Sequence, residues 1–456
     1  MTAQNRQFKR LAAHFSDRLI SNVADYPAYH KDASEITAIP DAILFAESET
    51  DVIDAINLCH TDNIPIFFRG AGTGYTGGAV PSGGGLVLSL ERLDKLELFP
   101  DRKMALCGPG VITIDLMKTA EAVGLYYPPD PASYEESTLG GNVAENAGGL
   151  HCVKYGVTKD YIIGLKAVTY DGRLLETGIF TEHELFNLTG ILIGSEGLLA
   201  AITEIAVRLI DIPKPGPTIL ATFDTTEDAA ETVADITAQG LVPAVMEFID
   251  GDAIACSIAY EPVIDIHKAE ALLLFETDGH NAPDRASHIF DICRRHKATF
   301  LERETNPAKT ETLWKIRRNL SKAVKASTKD KIAEDVCVPP SKLPELVNFV
   351  ALLNKELPCR VNSYGHAGDG NLHVNFLVAE NQNIEPTLLK KAITRLFKKT
   401  LELGGTLTGE HGIGLTKMEF LELEFSGETL WQMRKVKDLF NPVCLFNPGK
   451  MFRAGH

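Results

Sequence analysis

The sequence predicts an α+β protein of more than one domain, on three observations. Its 456 residues exceed what one hydrophobic core usually serves. Strand-like runs alternate with runs at helical spacing, and the pattern changes beyond Pro213-Lys-Pro-Gly-Pro217, a segment suited to a domain boundary. Two glycine-rich segments, 69–85 and 138–149, carry more glycine than ordinary turns need, as expected where backbone must approach a ligand closely.

The first domain opens with a strand at 42–45. Ser48 then offers a helix cap, and Val52, Ala55, Ile56 and Cys59 share one helical face before a second strand at 64–68. This βαβ-like start leads into Arg69-Gly-Ala-Gly-Thr-Gly-Tyr-Thr-Gly-Gly78 and then a strand at 86–90. Gly72, Gly74 and Gly77 satisfy a formal G-x-G-x-x-G, with Glu91 at about the expected distance. A dinucleotide turn must however open a helix, and Gly78-Ala-Val-Pro-Ser-Gly-Gly-Gly85 is unsuited to one. The alternative is an extended loop whose backbone N–H groups form a nest for a diphosphate.

Beyond the boundary, strands are expected at 219–223, 244–249 and 271–276, and helices at 226–239 and 283–297, giving an α+β second domain. Its chemistry lies in two short segments. In His366-Ala-Gly-Asp-Gly-Asn-Leu-His373-Val-Asn375, Asp369-Gly370 favours a two-residue hairpin turn, which sets His366 opposite His373 with Asn375 on the same face. Two imidazoles at that separation can grip one metal ion. Glu410, in Thr408-Gly-Glu-His-Gly-Ile-Gly414, would complete a His/His/Glu set with open coordination positions, and leaves His411 available as a base.

Composition narrows the partners. A net charge of −16 argues against a nucleic-acid partner, since phosphate binding relies on a basic surface. No transmembrane segment is expected: the most apolar stretch, 191–210, is broken by Glu196, Glu204 and Arg208. The start of the chain, with Arg6, Lys9, Arg10 and Arg18, reads as an amphipathic helix within an N-terminal helical segment, 1–37. The eight cysteines are scattered without a C-x-x-C pair, as buried thiols of a reducing, cytoplasmic compartment would be. No iron–sulfur relay can be built from them.

The glycine loop, Pro128-Pro-Asp-Pro-Ala-Ser133 with Thr138-Leu-Gly-Gly-Asn-Val-Ala-Glu-Asn-Ala-Gly-Gly149, Gly194-Ser-Glu-Gly197 and Asn447-Pro-Gly-Lys450 together resemble the FAD-binding domain of the vanillyl-alcohol oxidase and para-cresol methylhydroxylase superfamily. Ala200 departs from it, since relatives usually carry glycine there. The resemblance implies a two-subdomain FAD-binding domain over 38–213. It also implies a FAD-linked oxidase C-terminal cap domain over 214–456, returning to the flavin from about 405. The first segment would contribute Arg69, Gly70, Gly72, Thr73, Gly74, Thr76 and Gly77 to the cofactor. Pro129, Asp130, Ser133, Thr138, Gly140, Gly141, Asn142, Asn146, Gly148, Gly149 and Tyr155 follow, then Glu196, Gly197, Ile202 and Asn447. No histidine occurs in 69–85, and His151 and Cys152 are not expected to bond the ring, so FAD is read as non-covalent.

The two histidine segments are similar to those of the D-2-hydroxy-acid dehydrogenase branch, which includes D-lactate and D-2-hydroxyglutarate dehydrogenases and the flavin subunit of bacterial glycolate oxidase. That resemblance implies His366, His373 and Glu410 as ligands of a divalent ion and His411 as the catalytic base. It further implies Arg317 in Trp314-Lys-Ile-Arg-Arg318 as the grip on the substrate carboxylate, with Asn375 and Ser321 as substrate contacts. Zinc is the default ion, with manganese and iron(II) open. The expected reaction takes a small D-2-hydroxy acid to the 2-keto acid. Asp335-Val-Cys-Val-Pro339 tilts the choice toward D-lactate over glycolate, with D-2-hydroxyglutarate as the alternative. Electrons would leave to a quinone, cytochrome, flavoprotein or iron–sulfur partner subunit, and the enzyme would be cytoplasmic or peripheral to the inner membrane. Two other classes are open: a non-catalytic flavin subunit, which should lack the His/His/Glu set, and an ether-lipid synthase, a transferase that should lack the paired histidines.

Overall fold

The structure is a computed structural model that describes residues 8–262 and 269–452. Residues 1–7, and with them Arg6 and the start of the N-terminal segment, lie outside the described residues. The chain forms two compact units: one of residues up to 148, 157–212 and from 411 on, the other of 149–156 and 213–410.

The first unit begins with a helix, Lys9–Phe15, shorter than the sequence suggested, because the chain turns into a strand at Leu19–Ile20. That strand edges a four-stranded sheet in which Ala42–Phe45, Leu86–Ser89 and Ile66–Arg69 run parallel, with Leu86–Ser89 in the middle. Helix Glu49–Asp62 makes the crossover. The Ser48 side chain accepts from the Asp51 N–H as its cap, and Val52, Ala55, Ile56 and Cys59 are buried on one face, as their spacing predicts. Residues 70–85 form turns and loop with no helix, so the dinucleotide-turn reading is excluded on geometry.

A second sheet of five strands, antiparallel throughout, follows in the order Leu96–Phe99, Met104–Cys107, Ala201–Arg208, Ile162–Val168, Leu174–Glu176. The apolar stretch 191–210 thus ends as a central strand, buried on both faces. Among the described residues no helix is long and apolar enough to cross a membrane. The C-terminal segment returns to the first sheet, where Ile66 donates to Leu445 and accepts from Asn447 through the backbone.

The second unit is built on a seven-stranded antiparallel sheet. Its order is Phe300–Glu304, Pro215–Phe223, Ala271–Asp278, Val245–Asp250, Arg360–His366, Asn371–Val378, Asp330–Cys337. The expected helices appear at Thr226–Ala238 and Ala282–Arg295. Helices Gly251–Tyr260, Pro307–Arg318 and Leu320–Ala326 pack Trp314, Ile316, Leu320 and Val324 against Leu220, Val245, Ile249 and Leu272 of the sheet. All eight residues of Asn371–Val378 are buried, so the polar ones among them must find partners inside the protein. No cysteine forms a disulfide; five are buried, Cys152 and Cys337 are half-buried, and Cys444 is exposed, which corrects the expectation that all eight are core thiols.

Candidate functional site

The two histidines sit on adjacent antiparallel strands, but not in the expected register. The connection is the four-residue turn 367–370 rather than a two-residue one, because Gly370 donates to the Ala367 carbonyl. The strands therefore pair Tyr364 with His373 and Asn362 with Asn375. His366 and His373 are diagonal neighbours, not opposite ones. A shift of two residues keeps both on the same face, and their rings lie 5.5 Å apart. Gly370 has a φ of +82°, and a side chain there would strike the Val338 carbonyl, so only glycine suits this turn.

Glu410 brings Oε1 to 3.6 Å from His366 Nε2 and 3.5 Å from His373 Nε2, and the three candidate ligand atoms all lie within 4.8 Å of one another. Metal–ligand bonds of about 2.0–2.2 Å place ligand atoms roughly 3.3–3.6 Å apart on a tetrahedron's edges, which both Glu410 distances match, so the three residues could hold one ion.

Two supports were not read from the sequence. Glu247, fully buried, stands directly across the sheet from His366, its Oε1 2.6 Å from Nδ1, and its Oε2 accepts from Arg317 Nε. Burial pushes this carboxyl up, but Arg317 and His366 outweigh it and hold Glu247 below the ordinary range. An acid inside the apolar strand 244–249 was the available signal. Asp335, also buried, stands across from His373 and accepts the N–H of Gly409 and Glu410 at 2.8 and 2.7 Å, thereby fixing the segment that presents Glu410.

Arg317 is buried, with its guanidinium 5.3 Å from the Tyr364 ring centre, whereas Arg318 turns out to Glu311. Ser321 lies 3.4 Å from Lys331 Nζ. Asn375 is fully buried beside Asn362. All these belong to the second unit.

In the first unit, the glycine segments come together. Thr138 caps the short helix Leu139–Glu145, accepting from Gly141 N–H, and a side chain on Gly70 would strike Thr138. A Cβ on Gly74 would instead meet open space, a cradle of the kind a cofactor fills. Gly72 and Gly77 have positive φ, as do Asn146, Glu196, Gly197 and Asn447. Pro129, Asp130, Asn142, Gly148 and Ile202 are buried, and Thr73, Ser133 and Gly140 half-buried. Arg69 spends its guanidinium on the Lys31 carbonyl and stacks over Tyr29. Glu196 accepts from the Ile413 and Gly414 N–H groups, and Asn447 donates to the Glu196 carbonyl. Lys450, missed as a buried charge, donates to the Gly78 carbonyl; burial, ahead of Asp32, Glu145 and Glu196, brings its pKa down to about 7. His411 stacks on Tyr75, ring centres 4.9 Å apart, and its carbonyl accepts from Thr76. Gly149 and Tyr155 fall in the second unit, where the Tyr155 hydroxyl bonds Asp278.

The model of the FAD linked oxidases, C-terminal domain, matches residues 212–451, and that of the FAD binding domain matches 40–178. Such a pairing defines a class of FAD-dependent oxidoreductases. The chain belongs to the FAD-linked oxidases. It is 35% identical to the glycolate oxidase subunit GlcD of Bacillus subtilis (strain 168), over 93% of this chain and 92% of that one. It is 33% identical to a D-lactate dehydrogenase of Archaeoglobus fulgidus over 96% and 99%. A D-2-hydroxyglutarate dehydrogenase of Stutzerimonas stutzeri is 29% identical over 96% of both chains. Among solved structures, p-cresol methylhydroxylase with substrate bound superposes with a TM-score of 0.81 at 14% identity, covering 100% of this chain and 98% of that one, and shares the fold.

Proposed function

We propose that this protein oxidises a small D-2-hydroxy acid, D-lactate or glycolate, to the 2-keto acid. The observation that carries the reading is the buried Glu247, which joins a His/His/Glu cluster able to hold a divalent ion to an arginine able to hold a carboxylate. The names of the relatives support the substrate class. When bound, non-covalent FAD takes up a hydride, and a divalent ion, zinc or else manganese or iron(II), polarises the substrate's hydroxyl and carboxylate. His366, His373 and Glu410 would hold the ion. Glu247 accepts the His366 Nδ1 proton and so leaves Nε2 as the ligand atom. With Nε on Glu247, the outer nitrogens of Arg317 are directed to the carboxylate, and His411 takes the hydroxyl proton. Loops 70–78 and 138–148, with Glu196, Gly197 and Asn447, would line the flavin.

Scattered cysteines outside any disulfide support a cytoplasmic enzyme without its own iron–sulfur relay, able to act at the inner-membrane surface, whose electrons pass to an external acceptor. The test is anaerobic mixing with 2-hydroxy acids of both hands while the flavin's visible band is followed. Bleaching by D-lactate or glycolate but not L-lactate is expected; no bleaching by any of them would overturn the reading.

A further inference from the structure

Asn362 and Asn375, both fully buried, end a chain of side chains whose polarity is fixed from its half-buried far end, Asp252. Asp252, in the first turn of helix Gly251–Tyr260, accepts at Oδ1 from Asn362 Nδ2 at 2.9 Å, and its Oδ2 lies 3.5 Å from Arg360. Asn362 Oδ1 in turn accepts from Asn375 Nδ2 at 3.0 Å, across a directly opposed pair. A carboxylate offers no proton, so Asn362 must turn its NH2 to Asp252 and its carbonyl to Asn375. Asn375 must then turn its NH2 to Asn362. Its own Oδ1 is left over, buried and without a hydrogen-bond partner in the protein. The Tyr364 hydroxyl interacts with the same side chain through its NH2, which leaves Oδ1 still without a partner. Asn375 is two residues from His373 on the same face of one strand, so the acceptor belongs to the ion-cluster side.

We propose that Asn375 Oδ1 selects the substituent on C3 of the substrate, favouring one that carries a hydrogen-bond donor and rejecting one that carries a carboxylate, with Asp252 and Asn362 as its positioning residues. The inference rests on the reaction proposed above. There, C2 gives its hydrogen to the flavin, its hydroxyl to the ion and His411, and its carboxylate to Arg317. The fourth substituent is the one left to meet Asn375. A CH2OH group satisfies the buried oxygen, a methyl leaves it unsatisfied, and a second carboxylate sets two acceptors against each other. Among the D-2-hydroxy acids that the proposed reaction admits, the preferred ones are therefore the 2,3-dihydroxy acids, of which D-glycerate is the smallest.

The test is steady-state kinetics of the FAD-loaded enzyme with D-glycerate, D-lactate and D-malate, on wild type and Asp252→Asn. Wild type should prefer D-glycerate to D-lactate by about 10- to 100-fold in kcat/KM, the effect of leaving one buried polar group unpaired, and use D-malate worst. Asp252→Asn, whose carboxamide lets both asparagines reverse, should lower KM for D-malate while D-glycerate changes little. A structural role for Asp252 would depress all three alike. Equal use of D-lactate and D-glycerate, equal use of D-malate and D-glycerate by wild type, or a uniform loss in Asp252→Asn overturns the proposal while leaving D-2-hydroxy-acid oxidation standing. Inactivity toward all three overturns the reaction itself.

Discussion

Glu247 Oε1 lies 2.6 Å from His366 Nδ1, directly across two antiparallel strands, while its other oxygen accepts from Arg317. One buried carboxylate thus sets both the tautomer of a candidate ligand and the aim of a candidate substrate clamp. Glu247→Gln keeps the shape but, with its oxygen on Arg317, turns an NH2 to His366 Nδ1, which either clashes with the Nδ1 proton or moves that proton onto Nε2, the proposed ligand atom. Affinity for the divalent ion should fall about 10- to 100-fold, read by chelator competition and elemental analysis. An unchanged affinity would remove Glu247 from the metal's support.

Gly74 sits in the loop with open space where its Cβ would be. Gly74→Val should fill that space and yield folded protein that no longer retains FAD, measured as flavin per chain after gel filtration. Acid precipitation of wild type should release all yellow colour into the supernatant. Flavin that stays with the pellet would falsify the non-covalent assignment.

Local patterning made much of this fold legible. Ser48 and the four buried apolar residues of Glu49–Asp62 follow from capping and a 3.6-residue period, and the strands of the second unit from apolar runs. The histidine pair was read on the correct face but in the wrong register, since Asp-Gly signals a two-residue turn while the close Val338 carbonyl selects Gly370 within a four-residue one. Glu247 and Asp335 were not assigned roles because their partners lie 119 and 75 residues away in the chain, and cross-sheet pairing leaves no local trace. The Asn362–Asn375 pair was hidden for the same reason.

Asp250 is half-buried at the start of helix Gly251–Tyr260, where it accepts from Ala253 and Ser363, and desolvation of its carboxyl raises its pKa to about 7 despite those bonds. Its pKa in the unfolded chain is near the ordinary value of about 3.9. Between these values the folded state holds a proton that the unfolded state has lost. Stability from this group is therefore full below about pH 4 and falls as pH rises toward 7. Asp250→Asn cannot ionise, so the gap in urea midpoint between variant and wild type should shift in the variant's favour from pH 4 to pH 7. A constant gap over that range would show that Asp250 is ionised in the folded protein.

The ligand set and the proposed base are consecutive residues, Glu410 and His411, yet they belong to different compact units, and so should fail differently when removed. Chelation, or any of His366→Ala, His373→Ala and Glu410→Ala, should leave the FAD spectrum intact and abolish bleaching by substrate, because the residues proposed to hold the flavin are different ones. His411→Ala should keep both ion and flavin and slow single-turnover flavin reduction by about 100- to 10,000-fold, the usual effect of removing a general base. Restoring the divalent ion should rescue chelated wild type and leave His411→Ala slow. The assignment fails if enzyme shown by elemental analysis to be metal-free reduces its flavin at the wild-type rate, or if His411→Ala has no defect when hydride transfer is timed directly.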